Sequence, residues 1–108
     1  MAKLSEIFEK MVPHTIDVEG GLSMDPNDAG NWAGDQLRGT KYGISAQQYP
    51  NIDIESLTKD GAIAIYNADY WAPIQNMLAR VWGDDLDANR ARCAAMMFDI
   101  AVNSGHKN

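Results

Sequence analysis

The sequence predicts a mostly α-helical domain with a long Gly/Asp-rich loop, or a small β element, after its first helix. Three observations carry this. Apolar residues recur at helical spacing near the N-terminus, in a middle segment and again near the end. The stretch from Gly20 to Gly43 has no such period and is dense in Gly, Asp and Asn. The 108 residues suit a single domain spanning 1–108.

Taken in order, Leu4, Ile7, Phe8 and Met11 form one apolar face of a first helix. Pro13 lacks an N–H and crowds the preceding turn, so a kink, or a fresh start with Pro13 in the first turn, is expected there. Ile16 and Val18 lead to Glu19, and Gly20-Gly21 stops the helix because glycine readily takes the left-handed terminal conformation. A structureless loop as long as 20–43 is usually functional. It holds Trp32, which either pins the loop or offers its ring to a ligand. A short irregular hairpin fits around Lys41-Tyr42-Gly43-Ile44.

Ser45 to Tyr49 reads as a helical turn ended by Pro50. Thr58 is a good N-cap for the next helix, with Asp60 in its first turn. Ala62, Ile65, Tyr66 and Asp69 keep the helical period, and Pro73 bounds the segment. A short helix over 74–81 and an acidic turn over 83–87 follow. Asp87 can cap the last helix, where Ala91, Ala94, Ala95, Phe98, Ala101 and Val102 hold the period. Cys93, the sole cysteine, sits in this apolar stretch and is expected to be buried. With one cysteine there is no disulfide framework.

The net charge is −6, from 9 basic and 15 acidic residues. No basic stripe is present for phosphate backbones, which argues against a nucleic-acid partner. No apolar run approaches the roughly 20 residues needed to span a bilayer, so stable membrane insertion is not expected. The N-terminus lacks the charged and apolar regions of a signal peptide, so the expectation is synthesis in the cytoplasm without a signal peptide.

The chemistry centres on carboxylates. Glu19 lies where the helix dipole disfavours a negative charge, which suits a proton donor. Its alternative is a solvated acid at a helix end. Asp25 and Asp28 are candidates for a second acid, and both also read as turn formers. A two-acid glycosidase sets its groups about 5–5.5 Å apart when retaining and about 6.5–9.5 Å apart when inverting. Thr40 offers a hydroxyl that could hold a water, or is a β-branched residue of a short strand. Tyr42, Tyr70, Trp71 and Trp32 are the aromatic candidates for contact with a sugar. At their spacing Tyr66, Tyr70 and Trp71 also suit a core.

Asp25, Asn27 and Gly30 mimic part of a calcium loop. Position 5 would be Ala29 and position 12 Gln36, so an EF-hand is rejected. His14 and His106 lack metal-ligand spacing. No Walker, Rossmann or nucleophile-elbow pattern occurs, and neither a metal nor a cofactor is expected.

Four segments together resemble the glycoside hydrolase family 108 lysozymes, the phage-type N-acetylmuramidases also described as secretion activators. They are Glu19-Gly20-Gly21-Leu22, Asp25-Pro26-Asn27-Asp28-Ala29-Gly30, Thr40-Lys41-Tyr42-Gly43-Ile44-Ser45 and Phe98 to Gly105. The resemblance implies a lysozyme-like helical fold that cuts the β-1,4 bond between N-acetylmuramic acid and N-acetylglucosamine in peptidoglycan. It implies Glu19 as general acid. A weaker analogy to other phage lysozymes gives Asp28, or else Asp25, as base and Thr40 as the water-positioning hydroxyl. It also implies action on the cell wall after release through a pore made by another protein. Relatives of this type usually continue past the Phe98 to Gly105 motif, so the expectation is a domain shortened at its C-terminus. A homodimer is one way to supply a missing wall. A competing class is a catalytically weak peptidoglycan-binding or phage assembly module with the same fold. A third is a regulator that meets a protein partner through its acidic surface.

Overall fold

The computed structural model describes residues 1–107, with side chains through Ser104. In chain order the elements are β1 (Ala2–Lys3), α1 (Leu4–Glu19), a 3-10 turn (Ala29–Asn31), β2 (Trp32–Ala33), β3 (Gln36–Leu37), β4 (Thr40–Lys41), β5 (Ile44–Ser45), α2 (Lys59–Tyr66), a π-helical segment (Asn67–Trp71), α3 (Ala72–Trp82), β6 (Asp85–Leu86) and α4 (Ala88–Lys107). The molecule is thus mostly α, with small strand pairs. It divides into two compact units. One comprises Met1–His14 and the chain from Ile63 onward, the other Thr15–Ala62. Helices α1 and α2 each contribute residues to both.

Along α1, Leu4, Ile7, Phe8, Val12 and Ile16 are buried, the stripe expected of an amphipathic helix. Pro13 lies inside the helix, and no fresh start occurs there. The carbonyl that loses its partner to Pro13 belongs to Glu9. Both residues are on the exposed side, where water can take the place of the missing N–H. Gly20 then ends α1 with φ of +79°, its N–H donating to the Ile16 carbonyl at 3.0 Å.

The first unit is built on aromatic packing. Phe98 of α4 meets Phe8 edge-on, with centroids 5.6 Å apart and rings at 88°. It meets Trp71 at 6.0 Å and Tyr66 at 6.3 Å in similar crossed geometry. Phe8 in turn stacks on Trp71 at 5.9 Å. Such pairs add to the stabilisation from area burial alone. Strand β1 pairs antiparallel with β6, Ala2 opposite Leu86, and the Leu4 N–H donates to the Asp84 carbonyl at 3.1 Å. This pair was not expected, because two-residue strands carry no alternating pattern. The segment over 83–87 is therefore partly strand rather than only a turn.

Pro73 does not stop the helical path. The π-helical segment carries the chain from α2 into α3, and Pro73 sits in the first turn of α3, where its fixed φ suits the helix. Asp87 caps α4, its carboxylate accepting from the Arg90 N–H at 2.9 Å. Ala94, Phe98 and Val102 form the buried stripe of α4. Cys93 is exposed, contrary to expectation. It lies one residue before Ala94, which at 100° per residue turns it away from the buried stripe.

The second unit holds two tight hairpins, where one was expected. Strands β2 and β3 pair with Trp32 opposite Leu37, and β4 and β5 with Thr40 opposite Ser45. Tyr42 and Gly43 both have positive φ, 53° and 80°, as a two-residue hairpin turn with the native strand twist requires. Thr58 caps α2, its hydroxyl accepting from the Gly61 N–H at 3.1 Å. Ile16, Ile44, Ala46, Ile54 and Ala62 are buried.

Replacing Phe98 by Ala removes the ring that three others contact. The expected loss is about 3–5 kcal/mol in urea denaturation, against a few tenths for Ala substitution at exposed Asp99.

Candidate active site

The loop between α1 and β4 is organised by a residue that sequence reading passed over. Asn31 is fully buried, and every polar group it has is engaged. Its Nδ2 donates to the Asp25 carbonyl at 2.9 Å and lies 3.4 Å from Ser23 Oγ. Its Oδ1 accepts from Thr40 Oγ1 at 2.6 Å. Its backbone carbonyl accepts from both Arg38 and Gly39 N–H groups at 2.8 Å, and its own N–H donates to the Asp28 carbonyl at 3.0 Å. The Asp25 carbonyl can only accept, so the amide orientation is determined. Oδ1 then faces Thr40, and the Thr40 hydroxyl must be the donor.

Two direct links join this loop to the end of α1. Ser23 and Thr40 form an antiparallel bridge, with N–H to carbonyl bonds of 2.8 and 3.0 Å. The Tyr42 N–H donates to the Gly20 carbonyl at 2.9 Å. Gly20 follows Glu19, so the β4–β5 hairpin is held next to the half-buried Glu19. Gly39 makes the crossing possible. Its φ is +95°, and a Cβ there would fall 2.7 Å from the Ser23 carbonyl oxygen and 2.6 Å from Met24 Sδ.

Both candidate second acids are exposed and serve as turn formers. Asp25 Oδ1 accepts from the Asn27 N–H and Asp28 Oδ1 from the Gly30 N–H, each at 2.9 Å. These bonds occupy one oxygen of each carboxylate. Trp32 is half-buried and pins the loop, its Nε1 donating to the Pro26 carbonyl at 2.9 Å. The half-buried Tyr42 ring lies under Lys41, whose Nζ is 5.5 Å from the ring centroid and bonds the Glu55 carbonyl at 2.8 Å.

Glu19, Asp25, Asp28, Trp32, Thr40 and Tyr42 thus fall in one unit, that of Thr15–Ala62. Tyr70 and Trp71 belong to the other. Tyr70 is half-buried against Tyr66, with centroids 5.6 Å apart. Trp71 is completely buried, so it offers no ring face to a sugar and is core, not platform. Its Nε1 has no hydrogen-bond partner among the described residues. That unit also carries an open groove of about 450 Å³, bordered by Ser5, Phe8, Glu9, Ile63, Asn67 and Gln75. None of the candidate acids lines it. Among the described residues no cluster of three or more His, Cys, Asp or Glu could hold a metal ion.

Asn31 had one faint signal in the sequence. A polar loop that crosses itself must satisfy its own backbone groups, and a buried Asn is a common means. Nothing local distinguishes Asn31 from Asn27.

A family model described as Glycosyl hydrolase 108 matches residues 12–105. No curated protein and no solved structure matches the chain.

Removing the amide in Asn31→Ala leaves the Thr40 hydroxyl and the Asp25 carbonyl without their partner. The expected loss is about 1–3 kcal/mol by urea denaturation. Gly39→Ala should cost a comparable amount, since strain at positive φ adds to backbone contact. Gly34→Ala, with nothing within 4 Å of its Cβ, should cost less than Gly39→Ala in the same measurement.

Proposed function

The chain belongs to the glycosyl hydrolase 108 family, and from that premise we propose that it hydrolyses peptidoglycan at the β-1,4 bond between N-acetylmuramic acid and N-acetylglucosamine. The observation that carries this reading is the docking of the β4–β5 hairpin on the end of α1, through Gly20 and Tyr42. It supports the reading because it ties the residue after Glu19 to the hairpin that begins at Thr40.

Glu19 is the general acid. It gives its proton to the glycosidic oxygen as the bond to the anomeric carbon breaks. An Asp of the 25–28 turn, Asp28 by preference, activates water or faces the oxocarbenium-like charge. Thr40 has committed its proton to Asn31, so its oxygen presents lone pairs only. A water held there would donate a hydrogen to Thr40 and keep its own lone pair for attack. Trp32 and Tyr42 are the aromatic rings of the same unit on which a sugar could rest. The substrate is a glycan strand, and no described helix is long and apolar enough to cross a membrane.

A second reading is favoured by the two aspartates, whose carboxylates already serve turns. In that reading the chain binds peptidoglycan, or joins a phage assembly, and cleaves weakly. Release of reducing ends separates the two. The hydrolase reading expects release, whereas the binding reading expects co-sedimentation with cell walls and no release.

Glu19→Gln keeps the shape of the side chain and removes the proton donor. It should lower reducing-end release by roughly 10²–10⁴-fold, with an unchanged unfolding midpoint. Undiminished release would remove Glu19 from the mechanism. Asp25→Asn and Asp28→Asn each keep an Oδ1 acceptor for the turn while removing the charge. The base is the position whose Asn variant loses activity without losing stability, and Asp28 is expected to be that position.

A further inference from the structure

The outer face of α4 is apolar where a surface helix would be polar. Met96 is 63% exposed and Ile100 59%, Cys93 is exposed and Met97 half-buried. At 100° per residue, Met96, Ile100, Cys93 and Met97 fill one arc about 100° wide. The arc is opposite to the stripe of Ala94, Phe98 and Val102 that faces the core. A helix apolar on both faces is built to be covered on both.

The charges beside this arc indicate what covers it. Arg92 and Asp99 are exposed and lie on the same flank, seven residues or about 10.5 Å apart along the axis. Arg92 reaches back along the helix to Asn89, with Nη2 2.8 Å from Oδ1. In a parallel two-fold pair of such helices the flank that carries Arg92 and Asp99 would meet the opposite flank of the other copy, so neither would reach the other. In an antiparallel pair about a two-fold axis near residues 95–96, each Arg92 faces the other copy's Asp99. The pattern is self-complementary in the antiparallel sense only, as an isologous interface requires.

We infer that the Cys93–Met96–Ile100 face of α4 is a homodimer interface, in which a second copy of this chain packs antiparallel and pairs Arg92 with Asp99. The inference uses residues of one unit only and is independent of the glycan reading. One helix face is a small interface, so the association is weak and concentration-dependent.

Sedimentation equilibrium on the full chain, over a concentration series and with reductant present, tests this. Reductant prevents a Cys93 disulfide from imitating the interface. The expected result for the wild type is a reversible monomer–dimer equilibrium. Ile100→Glu should weaken it about tenfold or more, while thermal unfolding by circular dichroism stays cooperative. Arg92→Asp should weaken it too, and Arg92→Asp with Asp99→Arg should restore it. A wild type that stays monomeric at every concentration overturns the inference. So does a dimer indifferent to Ile100→Glu, or one that the charge exchange fails to restore. Since none of these residues is proposed to act on the glycan, reducing-end release by each variant reports on the catalytic reading separately.

Discussion

One buried amide holds the loop over 20–43 together. Residues 20–43 contain few apolar side chains, so they cannot be fixed by burial of area. They must be fixed by hydrogen bonds, and those bonds are strong only where water is excluded. Asn31 provides both conditions. It is removed from solvent, and it joins the two ends of the loop, through Ser23 and Asp25 on one side and Thr40 on the other. Its backbone carbonyl then takes the Arg38 and Gly39 N–H groups, which starts the β4–β5 hairpin in register. From there the geometry passes to Tyr42, to Gly20 and so to the end of α1.

In this arrangement structural roles and the proposed chemical roles fall on the same loop residues. Asp25 and Asp28 shape the turn that delivers Asn31, and both are exposed while they do so. Thr40 is oriented by the same amide. A loop of this kind can hold polar groups in fixed directions without a hydrophobic layer beneath each one. The cost of disturbing it is correspondingly high, because losing one partner leaves several others unsatisfied. The other unit is held by different means, with Phe8, Trp71 and Phe98 in mutual contact and Tyr66 against Phe98. Its apolar surplus on the outer face of α4 has no use within that unit.

Local signals were legible in the sequence and long-range ones were not. The end of α1 at Glu19-Gly20 and the caps at Thr58 and Asp87 were readable, because each depends on residues within four positions. So was the buried stripe of α4 at Ala94, Phe98 and Val102. Cys93 was misplaced because an apolar stretch was taken as uniformly buried, although phase alone puts it opposite Phe98. The β1–β6 pair was invisible, since two residues cannot show alternation. Trp71 was placed among the sugar contacts, but aromatic clusters at helical spacing belong to cores, and this one does. Asn31 is the instructive case. Its importance arises from Ser23 and Thr40 meeting across the loop, and each lies eight or nine residues from it, beyond the reach of a local pattern. The motif segments at Glu19, Asp25–Gly30 and Thr40–Ser45 did not show what joins them.

Native-state amide hydrogen exchange by NMR tests this account most directly. If Asn31 locks the loop, the Arg38, Gly39, Thr40 and Tyr42 amides of the wild type exchange slowly and with similar opening free energies. They should behave as one cooperative unit, well apart from the Asn27 amide in its exposed turn. Exchange of the Arg38 and Gly39 amides as fast as that of Asn27 would show that the loop is not held by Asn31, and would contradict the account.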